Sequence, residues 1–208
     1  MIKHIIFDFG GVFFDLYDSN GKHTGVPSHL AKIFGISIQV ADKIWNDNKE
    51  GLLTGKETPK EFLVRLNDSL KTSVDIDKSH KLWEELHSIK KDRINWRLVD
   101  FVEALSKKYQ IHMLSDTIDL GNGGEPWFDL AVKYFNNIFK SHETGHRKPY
   151  EDTFLYMLEK INAKPEECIF IDDLKENVEG AEKLGIKSIL YTNYDDLLIK
   201  LKQLGVEI

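Results

Sequence analysis

Residues 1–15 read MIKHIIFDFGGVFFD. Ile5, Ile6, Phe7 and Phe9 enclose a single carboxylate, Asp8, and the pair Gly10-Gly11 follows one residue later. A run of this kind has the character of a buried strand, and an ionised acid within it is costly unless something uses or pairs it. A catalytic carboxylate accounts for Asp8; a turn residue at the strand end is the plainer alternative. The glycines are either a simple turn or a place where backbone N–H groups approach an anion with no Cβ in the way. The position two after Asp8, where a second carboxylate could help, is Gly10.

Similar short runs recur along the chain: IHMLS (111–115), NIFKS (137–141), CIFID (168–172) and SILYT (188–192). Helical periods fall between them, over 96–108, 126–136, 150–161, 174–184 and 194–204. In the first of these, Leu98, Val99, Val102 and Leu105 share a face. Pro126 suits a first helical position, Asp173 with Glu176 resembles a capping box, and Gly185 can close that helix. Strands alternating with helices predict an α/β fold with a parallel sheet built from βα units.

Residues 16–96 have a different texture, with no strand alternation. Thr58-Pro59-Lys60-Glu61 reads as a cap, a first-turn proline and a third-position acid ahead of FLVRLNDSL. A second helix is expected over 77–89, with Leu82, Trp83, Leu86 and Ile89 along one side. The expectation is a core from residues 1–15 and 97–208, interrupted by a helical insertion of roughly 80 residues over the first strand's C-terminal end.

The chain has 208 residues and a net charge of −6, enough length for one large domain or a domain carrying an insertion. Lys and Arg are scattered, which speaks against nucleic acid and anionic membranes as partners. No apolar run approaches the ~20 residues of a membrane span. The N-terminal run is broken by Asp8 and does not read as a signal peptide, so a cytoplasmic location is expected. The single cysteine, Cys168, rules out an internal disulfide and a multi-cysteine metal site, and reads as a buried thiol.

Four polar features end or follow the apolar runs: Asp8, Ser115, the pair Asp172-Asp173, and Lys148 in GHRKP. In a parallel sheet the C-terminal strand ends lie along one edge, where ligands bind, so these distant residues can converge. Each has a bland alternative. Serines often end strands, a lone lysine is usually solvated, and Asp173 could be only a helix cap. Together they supply a nucleophilic or metal-binding carboxylate, a hydroxyl, a fixed cation and two further acids. That set suits phosphoryl transfer. Asp8 could attack phosphorus, and Asp8 with Asp172 and Asp173 could hold Mg²⁺, which prefers oxygen ligands. Lys148, Ser115 and the Gly10-Gly11 amides would meet the phosphoryl oxygens.

The order Asp8, Ser115, Lys148, Asp172-Asp173 resembles the haloacid dehalogenase (HAD) superfamily. IIFDFGGV looks like its first motif, IHMLSDT its second, the lysine of GHRKP its third, and IFIDDLKENVEGAEKLG its fourth. The form DxGGV, with RKP and DDxxxNxxGA, is similar to the subgroup containing the epoxide hydrolase N-terminal phosphatase and bacterial glucose-1-phosphate phosphatase. The resemblance implies a Rossmann-like core with a movable helical cap of the C1 type. It implies Asp8 as nucleophile and metal ligand, and a Mg²⁺ contact from the Gly10 carbonyl. Asp173 would be a direct ligand, Asp172 an outer one, and Asn177 a brace of that loop. Ser115 would bind the phosphoryl group, and Lys148 would stabilise nucleophile and charge.

The sequence departs from the family pattern at two places. Most HAD phosphatases carry an acid two residues after the nucleophile, where this chain has Gly10. Asp116 stands where asparagine is common and would border the substrate, repelling a dianion unless it turns away or meets sugar hydroxyls. The expected activity is Mg²⁺-dependent hydrolysis of a small phosphorylated metabolite, such as a sugar 1-phosphate whose anomeric oxyanion needs little protonation. His23, His29 and Asp18 are candidates for a proton donor from the cap, although each also reads as a plain surface residue. A silent phosphate-binding or interaction protein is the alternative.

Overall fold

The computed structural model describes residues 1–15, 25–87, 91–120 and 126–208, without the side chains of 91 and 126–128. The strands are β1 (His4–Phe7), β2 (Gln110–Ser115), β3 (Asn137–Lys140), β4 (Cys168–Asp172) and β5 (Lys187–Leu190). All pair in parallel, in the order β3-β2-β1-β4-β5. β1 is therefore central. Its Ile5, Ile6 and Phe7 are fully buried because helices cover both faces of the sheet. The order reverses between β1 and β4, which opens a crevice at their C-terminal ends.

Between β1 and β2 come α1 (Val26–Phe34), α2 (Ile38–Asn48), α3 (Glu50–Leu53), α4 (Pro59–Leu70), α5 (Ile76–His87) and α6 (Trp96–Ser106). After β2 follow α7 (Pro126–Val132), α8 (Ser141–Thr144), α9 (Glu151–Ile161), α10 (Lys175–Glu182) and α11 (Tyr194–Gln203). Alternate strand residues feed opposite cores. Ile5, Phe7, Ile111, Met113, Ile169 and Ile171 join Leu98, Val102, Leu197 and Leu201 of α6 and α11. Ile6, Leu114, Cys168 and Phe170 join Phe154, Met157 and Ala181 of α9 and α10. Burial pushes the Cys168 thiol up to about 12, as expected of an inert core cysteine.

α1–α5 form a helical insertion with its own apolar cluster, centred on Leu30, Leu52, Phe62, Leu63 and Trp83. The expected capping box is present at the start of α4: Thr58 accepts from the Glu61 N–H, and Glu61 accepts from the Thr58 N–H. Where the chain leaves and re-enters the sheet domain its two arms are pinned together. Phe14 bridges Ile94, and the Asn95 N–H donates to the Phe13 carbonyl at 2.9 Å. A second link comes from the segment after β2, whose Ile118 and Leu120 are buried in the insertion's cluster.

Several expected boundaries shift. The helix expected to reach 136 ends at Val132, and the one expected over 174–184 spans Lys175–Glu182. The capping box expected at Asp173 is absent: Leu174 precedes the helix and supplies no side-chain cap. Gly185 does help to close that end, at φ 83° with its N–H on the Glu182 carbonyl. Among the described residues no helix is long and apolar enough to cross a membrane.

Because Ile118 belongs to a strand-end segment yet is buried in the helical insertion, Ile118→Ala opens a cavity at their joint. It should cost about 2–5 kcal/mol in urea denaturation, the range for a large-to-small change in a packed core. A loss under about 0.5 kcal/mol, the usual scale of a surface change, would show that the joint is not packed as described.

Candidate active site

The crevice between β1 and β4 holds the convergent residues. β1 delivers Asp8, whose N–H donates to the Ile171 carbonyl of β4 at 2.8 Å. β4 ends at Asp172, which is fully buried, with the half-buried Asp173 next. Lys148, from the segment leading into α9, is only 2% exposed and not a solvated surface lysine. Its ammonium donates to Asp8 Oδ1 at 2.7 Å and to Asp172 Oδ2 at 2.6 Å.

Asp172 is fixed by more than Lys148. Asn177 Nδ2, from the first turns of α10, reaches both of its oxygens at 3.0 Å, and the Leu174 N–H donates to Oδ1 at 2.8 Å. Asn177 thus braces the loop as expected, and Asp172 takes the local hydrogen bonds that the sequence pattern assigned to Asp173. Asp173 is left to face Asp8: one oxygen from each of Asp8, Asp172 and Asp173 lies within 4.8 Å of the others.

The two glycines have different duties. Gly11 has φ 77°, and a Cβ there would stand 2.2 Å from Asp173 Oδ2. The Gly11 N–H donates to the Phe14 carbonyl at 2.8 Å, so this amide is engaged in the turn instead of facing an anion. Gly11 makes room for Asp173. Gly10 is under no such constraint, for a Cβ built there meets nothing within 4 Å.

Ser115 ends β2 and is buried, and its hydroxyl makes no hydrogen bond to a described residue. Asp116 turns toward the lysine segment, where its Oδ1 accepts the Lys148 backbone N–H at 3.1 Å. Of the suggested proton donors, His23 and Asp18 lie outside the described residues. His29 is buried, contrary to the surface position expected of it, and its ring packs edge-on to His87 with centroids 5.9 Å apart.

Electrostatics follow from burial. Desolvation pushes the Asp8 carboxyl up to about 7, with Lys148 pulling against it and Asp172 and Asp173 adding to it. Desolvation, reinforced by Asp172, lifts Asp173 to about 6. Burial works against the Lys148 ammonium, but Asp8, Asp172 and Asp116 outweigh it and hold the amine above its ordinary range. One cation faces three acids. The excess negative charge, the all-oxygen donor set and the space kept by Gly11 fit a hard divalent cation such as Mg²⁺.

A haloacid dehalogenase-like hydrolase profile matches residues 2–185. The chain belongs to the haloacid dehalogenase-like hydrolase family. The D-ribitol-5-phosphate phosphatase of Bacteroides thetaiotaomicron is 25% identical over 207 residues, covering 94% of this chain and 95% of that protein. A HAD family enzyme of the same organism, solved with magnesium and inorganic phosphate, superposes with a TM-score of 0.69 at 22% identity. That likeness covers 95% of this chain and 99% of the other. Likeness to the epoxide hydrolase is narrower: the mouse bifunctional epoxide hydrolase 2 is 30% identical, over only 34% of this chain and 13% of its own length. The HAD assignment is thus family-wide, whereas the expected kinship to the epoxide hydrolase subgroup is partial.

Reading the sequence alone missed the supports of Lys148. Thr153, buried in α9, donates its hydroxyl to the Arg147 carbonyl. Gly180 in α10 lets the Pro149 carbonyl approach to where a Cβ would be 2.6 Å away. A glycine inside a helix was a usable signal; a buried threonine was not.

Protons compete with a metal for Asp8 and Asp173. Both carboxyls are raised, so Mg²⁺ affinity should fall as pH drops from about 8 through 7 and 6, with protons released on binding. Gly11→Ala, which collides with Asp173, should weaken binding at every pH. Isothermal titration in two buffers of different ionisation enthalpy reads both effects; pH-independent affinity would contradict the assignment.

Proposed function

We propose that this HAD hydrolase is a Mg²⁺-dependent phosphatase of a small sugar or polyol phosphate, working through an aspartyl phosphate on Asp8. The carrying observation is the Lys148 ammonium held between Asp8 and Asp172, with Asp173 in the same cluster. The phosphatase named for D-ribitol 5-phosphate, matched along nearly its whole length, supports the substrate class.

Asp8, Asp173 and the Gly10 carbonyl would hold Mg²⁺ directly, with Asp172 outside them; the ion when bound would offset charge on the phosphoryl oxygens. The Asp8 carboxylate attacks phosphorus; the new O–P bond forms as the ester P–O bond breaks, and the alcohol leaves as an oxyanion or takes a proton from water. Water then hydrolyses the acyl phosphate and frees Asp8. Lys148 aims the Asp8 oxygen and balances its charge. The Ser115 hydroxyl donates to a phosphoryl oxygen. Residues 16–96 act as the cap over a core of 1–15 and 97–208, shielding the site and selecting the leaving group.

Gly10 leaves the usual general acid out, and a Cβ built there meets nothing within 4 Å, which leaves room for a side chain to start. A leaving group that needs little protonation would compensate, which favours an aldose 1-phosphate over a 6-phosphate; the relative named for ribitol 5-phosphate, whose leaving group is a primary alcohol, argues the other way. The test is phosphate release from a panel of both classes with Mg²⁺ or EDTA, beside Asp8→Asn and Gly10→Asp. Release should need Mg²⁺, vanish in Asp8→Asn and favour 1-phosphates. Gly10→Asp should raise the rate on alkyl phosphates by up to about 10²–10⁴-fold. Equal rates on both classes at matched binding would overturn the leaving-group argument. No release from any substrate would favour a phosphate-binding protein.

A further inference from the structure

Lysine is a flexible side chain, and the Lys148 ammonium must nevertheless sit between two carboxylates from different strands. Its position depends on the backbone of residues 147–149, which lies outside the sheet. Three elements hold that backbone. From α9, the Thr153 hydroxyl meets the Arg147 carbonyl, which also accepts the Tyr150 N–H at 3.2 Å. From α10, Gly180 receives the Pro149 carbonyl at a distance no side chain would allow. From the end of β2, Asp116 Oδ1 accepts the N–H of Lys148 itself at 3.1 Å.

We infer that Asp116 is a positioning residue: its carboxylate fixes the Lys148 backbone, and through it the ammonium at Asp8, instead of contacting the substrate. This rests on the phosphatase reading of the site. Asp116 directly follows Ser115, so one short stretch sets both the phosphate-facing hydroxyl and the lysine. The arrangement also accounts for an acid so close to a dianionic substrate. Its Oδ1 is engaged by an amide, and burial pushes its carboxyl above the ordinary range although Lys148 and Arg147 pull against it. Arg147 in turn lies 3.3 Å from Glu50 of α3, so the same dipeptide is also tied to the insertion.

Two variants separate the roles. Asp116→Asn keeps an oxygen that accepts the Lys148 N–H; Asp116→Ala removes it. Both are assayed on p-nitrophenyl phosphate, which has no sugar hydroxyls, and on a polyol phosphate. Positioning predicts that Asp116→Ala lowers kcat on both substrates by about 10²-fold, the scale of a 1 Å misplacement, with KM little changed. Asp116→Asn should recover most of that loss. A rise in KM confined to the polyol phosphate would overturn the inference in favour of substrate contact. An Asn variant as impaired as the Ala variant would overturn it by showing that charge matters and the acceptor does not. Crystal structures of the two variants supply a readout independent of activity. The Lys148 ammonium should withdraw from Asp8 and Asp172 in Asp116→Ala and stay in Asp116→Asn; an ammonium unmoved by Ala would refute the role. If the unaltered protein releases phosphate from nothing, the phosphatase reading falls and the crystal structures still decide the positioning.

Discussion

The site is organised by one buried lysine. Lys148 Nζ touches Asp8 at 2.7 Å and Asp172 at 2.6 Å, with almost no solvent at any of the three. Burying these charges is expensive, and the arrangement is tolerable only because the geometry is tight and the remaining oxygens are satisfied. Asn177 and the Leu174 amide do this for Asp172. The lysine pins β1 to β4 across the crevice, and the two strands it links are those between which the sheet order reverses. Position in the fold and position of the chemistry thus have one cause.

That pairing is also incomplete in a useful way. Asp173 adds a third carboxylate that Lys148 does not touch, and the raised Asp8 and Asp173 carboxyls express the surplus of negative charge. A divalent cation relieves it. Gly11 is the structural condition for this, since its missing Cβ and left-handed backbone are what admit the Asp173 carboxylate. Gly10, one residue away, is under no such demand. A Cβ built there meets nothing within 4 Å.

Much of this was legible in the sequence. Each strand was visible as a short apolar run because buried parallel strands carry little polar dilution, and the polar residues at their ends marked the active edge. The α4 start was visible because a capping box is local. What escaped notice depends on distant partners. Asp173 with Glu176 has the spacing of a cap, yet the Leu174 amide bonds to Asp172, and only the fourth strand's placement beside Lys148 shows why. Gly11 looked like an anion donor until its N–H was seen to close on Phe14. Asp116 was read as bordering the substrate unless it turned away, and its Oδ1 meets an amide 32 positions on. α1–α3 of the insertion were not separated because their signals are weak singly: α2 is capped by Ser37 but buries only Ala41.

The proposed chemistry turns on Asp8, held by Lys148, as the residue whose carboxylate takes the phosphoryl group. Turning over the protein with a competent phosphate ester, quenching, and reducing with borohydride converts an aspartyl phosphate to homoserine, which peptide mass spectrometry locates. Homoserine at position 8, dependent on substrate and absent without it, is the predicted result. Phosphate release with Asp8 unmodified, or with the mark on another residue, would contradict it.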